Sequence, residues 1–241
     1  MLFATDGSAQ RLQNYHGFQQ TYPGAIAIGV QTGPNFNFAA SGPYADCDCT
    51  FDGGSGIGYH AGLHLDILVN HWFGIRLQGL YEDHSTVYVK DFAGSTFGDD
   101  GAPAAVNIQR RAEVGIRYLS TSFMLTWVTG PQGLYLLSGA SFGFFLDGTL
   151  KDEEYITTPG YVYPGTSTSR TVFADEGLDA AQDLPMRGGI VIGVGYDLPL
   201  ARGISLGPEL QFDYPLTAVV DGNADWNIPS LRASVALRFG L

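Results

Sequence analysis

The 241-residue chain is short of charge, of cysteine and of long apolar runs. Charged residues make up 15%, against the roughly 25% usual in soluble domains. Two cysteines, Cys47 and Cys49, exclude a disulfide framework. No apolar run approaches the roughly 18 residues that a membrane-spanning helix needs, and the mean hydropathy is only +0.04. Basic residues are scarce too. Twelve Lys and Arg face 24 Asp and Glu, for a net charge of −12. That balance argues against nucleic acid as a partner, because phosphate backbones are held by Lys and Arg.

What the chain does have is glycine (33), tyrosine (13), phenylalanine (15) and alternation. From Leu231 to Leu241 every second residue is apolar: Leu231, Ala233, Val235, Leu237, Phe239, Leu241. Between them stand Arg232, Ser234, Ala236, Arg238 and Gly240. A strand has a side-chain period of two, so one face is apolar and the other polar or small. The pattern recurs. Ile57, Tyr59, Ala61, Leu63, Leu65 and Ile67 alternate with Gly58, His60, Gly62, His64 and Asp66. Ile190, Ile192, Val194 and Tyr196 alternate with Gly189, Gly193, Gly195 and Asp197 at every second place. Ile204, Leu206, Leu210 and Phe212 stand against Ser205, Gly207, Glu209, Gln211 and Asp213.

Eight such strands are expected, near 24–38, 57–69, just after an Asn70-His71 turn, and near 112–128, 133–147, 187–198, 204–214 and 231–241. Residues 1–23 read as a periplasmic lead-in and 24–241 as the β domain. Gly7-Ser8-Ala9 before Gln10 resembles the small-residue end of a bacterial export signal. Connections alternate long and short, with long loops expected near 38–55, 90–110, 148–186 and 215–229. That rhythm, with charge on the non-apolar face, is expected of an all-β, antiparallel transmembrane β-barrel with short periplasmic turns and long extracellular loops.

Several segments resemble the small outer-membrane β-barrel families, the eight-stranded OmpA/OmpX type and PorT-like barrels. They are Tyr118-Leu119-Ser120-Thr121-Ser122-Phe123, Gly133-Leu134-Tyr135-Leu136-Leu137-Ser138-Gly139, Gly193-Val194-Gly195-Tyr196 and the closing Leu237-Arg238-Phe239. The resemblance covers about residues 24–241 and implies residence in the outer membrane of a Gram-negative bacterium. The chain departs from such barrels at its end, where Leu241 replaces the usual terminal aromatic and Phe239 stands two residues earlier.

The inner face is expected to carry a charge network of His60, His64, Asp66, Arg76, Glu82, Glu113, Arg117, Glu209, Asp213, Arg232 and Arg238. A small barrel is filled by its side chains, and buried charges pair. The faces of the strand after Leu119 stay unassigned, because its alternation blurs there; a bulge would explain it.

Catalytic signals are thin. Gly139-Ala140-Ser141-Phe142-Gly143 has the spacing of a nucleophile elbow, but that device needs a strand-to-helix turn and here the strand continues. His84 beside Ser85 is the only local pair for a lipid-modifying site. His60 and His64, four apart on a strand, stand about 13 Å apart, too far to share an ion. Asp46, Asp48 and Asp52 give a weak calcium candidate, although Phe51 occupies the place of an EF-hand glycine. No catalytic group and no cofactor is assigned, and the chain is expected not to be an enzyme.

The expected role is structural or interactive. The partners are outer-membrane lipid and lipopolysaccharide, and a protein partner in a membrane complex. Acidic loops would face outward, and Tyr155, Tyr161, Tyr163 and Phe173 in the longest loop would form the contact surface. The alternatives are a small pore or transporter, a lipid-modifying enzyme, and a soluble lipocalin-like barrel with the apolar set turned inward.

Overall fold

The computed structural model describes residues 25–42, 51–97, 102–129, 133–178, 186–219 and 226–241. Eleven strands are present among them. They are β1 (Ile26–Ala39), β2 (Gly54–Asn70), β3 (Phe73–Asp83), β4 (Thr86–Phe97), β5 (Pro103–Val128), β6 (Leu134–Ile156), β7 (Arg170–Leu178), β8 (Arg187–Tyr196), β9 (Leu198–Ala201), β10 (Ile204–Pro215) and β11 (Ser230–Gly240). Eight of them, β1, β2, β3, β5, β6, β8, β10 and β11, pair antiparallel in a ring that β1 and β11 close.

The ring's stagger can be read from its pairs. From Ala27 the pairing runs through Asp66, Arg76, Met124, Gly139, Val191 and Asp213 to Ser230. Across the closing seam, however, Ala27 faces Gly240, ten residues further on. Ten residues of about 3.3 Å over eight spacings of about 4.8 Å tilt the strands by about 40°.

The exterior is apolar, which rules out the lipocalin-like alternative. Leu63, Ile192 and Val235 are 59%, 54% and 52% exposed, whereas Arg232 is 0% exposed. The outward set runs from Ile26 to Phe38 on β1 and from Ile67 to Ile57 on β2. At about 2.5 Å of axial rise per tilted residue, this band is about 25–30 Å tall, a membrane's hydrocarbon thickness. Trp72, Phe73 and Trp127 ring its lower edge; Tyr59, Tyr81 and Tyr214 mark the upper.

Two expected loops are strands. In the stretch near 90–110, β4 pairs with the outer half of β5. Within 148–186, β6 continues to Ile156 and β7 pairs back onto it. β5 and β6 have 26 and 23 residues, where a tilted strand crosses a membrane in about 9–11. Their outer halves, flanked by β4 and β7, therefore stand above the bilayer as a four-stranded sheet. The expected bulge exists but lies in β6, where Arg117 faces Asp147 and Tyr118 faces Phe145.

Candidate functional site

Inside the ring the charges form two layers. At the periplasmic end, Arg76 donates from Nε to Asp66 Oδ1 at 2.5 Å and from Nη1 to Glu209 Oε1 at 2.7 Å. Arg238 donates to Asp197, Glu209 and the Tyr135 hydroxyl, and its Nε reaches His64 Nε2 at 3.3 Å. The Tyr135 hydroxyl donates to Glu209 at 2.7 Å, and Arg238 stacks on the Tyr135 ring at 4.8 Å. Gly195 faces Tyr135 across the β6–β8 pair, and a Cβ there would collide with the ring. Glycine on one strand thus makes room for a large side chain on the next.

In the outer layer Arg232 donates to Glu82 at 2.7 Å and lies 3.7 Å from Asp213. Arg187 lies 3.3 Å from Asp213 and donates to His84 Nε2 at 3.1 Å. His60 bridges Asn35 Oδ1 at 2.7 Å and Ser234 Oγ at 2.9 Å. Breaking such a buried pair leaves an uncompensated charge, at a cost of about 3–5 kcal/mol. Above it the mouth is capped by an apolar cluster that includes Phe51, Tyr88, Ile116, Leu150, Trp226 and Ile228. Trp226 Nε1 donates to the Tyr88 hydroxyl at 2.8 Å. Burial pushes that phenol up to about 12.

Nine of the eleven expected lumen residues lie in or beside these layers: His60, His64, Asp66, Arg76, Glu82, Glu209, Asp213, Arg232 and Arg238. Glu113 and Arg117 do not. Both point outward with side chains 46% and 44% exposed. Glu113 meets Arg111 at 2.8 Å, and Arg117 meets Asp147 at 3.0 Å. They share a face with lipid-facing Leu119 and stand above it, at the level of water, where an outward charge costs nothing. Arg187, His84, Tyr135 and Asp197 complete the layers and were not in the expected set. Arg187 is the first residue of its strand, and Tyr135 is aromatic rather than charged; its place between outward Leu134 and Leu136 is the signal that turns it inward.

The catalytic and metal candidates come apart. His84 is buried against Arg187, whereas Ser85 turns to Asp83 at 2.5 Å. Ser141 donates to Asp213 at 3.1 Å inside the strand. Of the calcium candidates, Asp52 is exposed at the cap, while Asp46 and Asp48 lie outside the described residues, as do Cys47 and Cys49. In the protruding sheet, Tyr161 and Tyr163 pack on Val106, Ile108 and Ile156. Phe173 is 57% exposed and stacks on Arg110, which pairs with Asp152. Tyr155 donates to Glu153, which also holds Arg170 and Lys151. Those bonds, Tyr155 first, hold the Glu153 carboxyl down at about 2.

A closed ring with a lipid-facing exterior and an ion-paired interior defines an integral barrel of the bacterial outer membrane. The chain belongs to the outer membrane protein β-barrel domain family, matched over residues 10–221. Solved outer-membrane structures match it weakly. Ail, the attachment invasion locus protein of Yersinia pestis, crystallised with the heparin analogue sucrose octasulfate, is 12% identical over 90% of this chain and 100% of its own, with a TM-score of 0.36. Neisserial surface protein A is 12% identical over 88% and 97%, with a TM-score of 0.35. The outer membrane protease OmpT of Escherichia coli is 8% identical over 92% and 100%, with a TM-score of 0.33. No curated protein sequence matches. The expectation that the chain is not an enzyme is withdrawn: the family match establishes the barrel and assigns it no activity, and a protease is among the solved barrels matched.

Proposed function

We propose that the barrel anchors the β4–β7 sheet at the cell surface, where the sheet is the contact surface for an extracellular protein. The observation that carries this reading is the length of β5 and β6, which raises a paired sheet well clear of the lipid. Its flanks support it. β4 pairs with β5 along one edge and meets β2 only at Gly54 and Ser55, so Val89 to Phe97 has a strand edge without a described partner strand. β7 has its only described strand partner in β6. Unpaired edges accept further strands. Val89, Phe92, Phe97, Val172 and Phe173 are exposed on these two flanking strands. Aromatic residues at a solvated edge suit protein contact. The two ion-pair layers and the cap favour this role over conduction.

The test is removal of residues 152–180 from the full-length protein. The barrel is expected to insert and to keep its heat-modifiable migration on a gel, while surface association with the partner is lost. Unchanged association by the shortened protein would overturn the reading. Phe92→Asp with Phe173→Asp should weaken the same association without altering the migration.

A further inference from the structure

The two ion-pair layers differ in charge. The outer one sets Glu82 and Asp213 against Arg187 and Arg232, two carboxylates to two guanidiniums, and is neutral. The periplasmic one holds three carboxylates, Asp66, Asp197 and Glu209, but only two guanidiniums, Arg76 and Arg238. His64 stands beside it, 3.6 Å from Asp66, yet its Nε2 accepts from Arg238 Nε at 3.3 Å. An imidazole nitrogen that accepts carries no proton, so this ring is neutral. The periplasmic layer is therefore left with one negative charge too many. Charges taken out of water are paired or hold a metal ion.

The unbalanced layer borders a cavity of about 30 Å³ at the periplasmic mouth of the lumen. Asp66, Thr126 and Asp197 line it, with Leu68 and Val128 beside the short turns. A water needs about 10–15 Å³ of such space, so there is room for one ion with one water. Two oxygens there have nothing to bind. Thr126 faces the lumen and is 9% exposed, and its hydroxyl has no hydrogen-bond partner among the described residues. Asp197, its side chain 3% exposed, takes both Arg238 and Ser205 on Oδ1, which leaves Oδ2 without a partner among the described residues. Asp66 is the most exposed carboxylate of the layer, at 17%. A buried hydroxyl without a partner, a spare carboxylate oxygen and an uncompensated charge thus meet at one space of ionic size.

We infer that this cavity binds one small monovalent cation, of sodium's size, between Asp66, Asp197 and the Thr126 hydroxyl. Hard cations take oxygen ligands, and one positive charge brings the layer to neutrality. A divalent ion would overshoot it. Calcium, besides, takes about six to eight oxygens, and no group of three or more His, Cys, Asp and Glu suited to a metal ion is present among the described residues. Two carboxylates and a hydroxyl suit a singly charged ion instead. The ion ties β2, β5 and the end of β8 together across the lumen. The site is remote from the β4–β7 sheet, so its failure would leave the protein-contact reading intact.

The test uses the full-length protein in neutral detergent, with choline chloride replaced by sodium chloride at constant ionic strength. Sodium is expected to raise the folded-to-unfolded ratio in urea about tenfold, equivalent to about 1.4 kcal/mol, read by heat-modifiable migration. The sodium NMR line should broaden in the presence of the protein. Thr126→Val keeps the charges and removes the hydroxyl; it should lose both responses while matching the parent in choline, which a merely structural hydroxyl would not allow. Asp197→Asn neutralises the layer and should also end the sodium dependence; if it fails to fold, Thr126→Val decides alone. Asp91→Asn, exposed in the sheet, should respond as the parent does. A parent indifferent to sodium, or a full response in Thr126→Val, would overturn the inference. A sodium-indifferent parent that loses stability in His64→Gln would assign the missing charge to a proton on His64 and overturn it equally.

Discussion

β5 and β6 pass through two environments, and their polarity turns over between them. Within the membrane, Leu119, Phe123 and Trp127 of β5 face out, and Ser120, Ser122 and Thr126 face in. Above it, Arg111, Glu113 and Arg117 face out, and Ala112, Val114 and Ile116 are buried within the mouth. The parity of the strand does not change; the solvent does. Lipid rewards an apolar exterior and leaves the polar groups to satisfy one another inside. Water rewards the reverse. The turnover falls between Leu119 and Arg117, level with Tyr81 and its neighbour Tyr59.

The comparison breaks most sharply at the buried charges. Arg232→Met would leave Glu82 without its cation and Asp213 with Arg187 alone, a loss of about 3–5 kcal/mol. Arg111→Met in the protruding sheet removes an exposed pair and should cost at most about 1 kcal/mol. The folded fraction against urea, read by heat-modifiable migration, checks both. Equal effects would mean that the lumen is wet enough to screen its charges.

The exterior gives the next largest contrast. Val235→Arg puts a charge near the midplane of the lipid face, at about 2–4 kcal/mol, and should block insertion. Val89→Arg, equally exposed but above the membrane, should insert as the parent does. Insertion of both, or folding of the Val235 variant in water without detergent, would sink the membrane assignment of that face.

Conduction separates the two regions more gently. With two ion-pair layers below an apolar cap, planar bilayers should show no stable ohmic conductance. A channel that appears only after Trp226→Ala would locate the seal in the cap; steady conductance in the parent would restore the pore alternative.

The smallest effect concerns pH. Glu153 in the sheet sits at about 2, below the ordinary carboxylate range, because Tyr155, Arg170 and Lys151 hold it ionised. The unfolded chain therefore binds the proton first as pH falls. The stability that Glu153 contributes is full above the usual carboxylate value near 4.5 and is lost as pH falls through that value toward about 2. Chemical shifts of Glu153 and of the β6–β7 pairs should follow that window. Glu153→Gln should abolish the dependence in this sheet.

Alternation alone was enough to find the ring. It placed Leu63, Ile192 and Val235 on lipid and Arg76, Arg232 and Arg238 inside, because a period of two leaves one choice of face per strand. It also located the short turns. It does not reveal β4 and β7, which lie largely in the expected loops: Gly94-Ser95-Thr96 and Arg170-Thr171 pair only because long neighbours offer them an edge. Nor could it orient Glu113 and Arg117, since a charged residue faces the lumen below the lipid boundary and away from it above. The depth of that boundary is not written in any one strand. It emerges from the tilt and stagger of all eight, which set the height at which each side chain meets lipid or water.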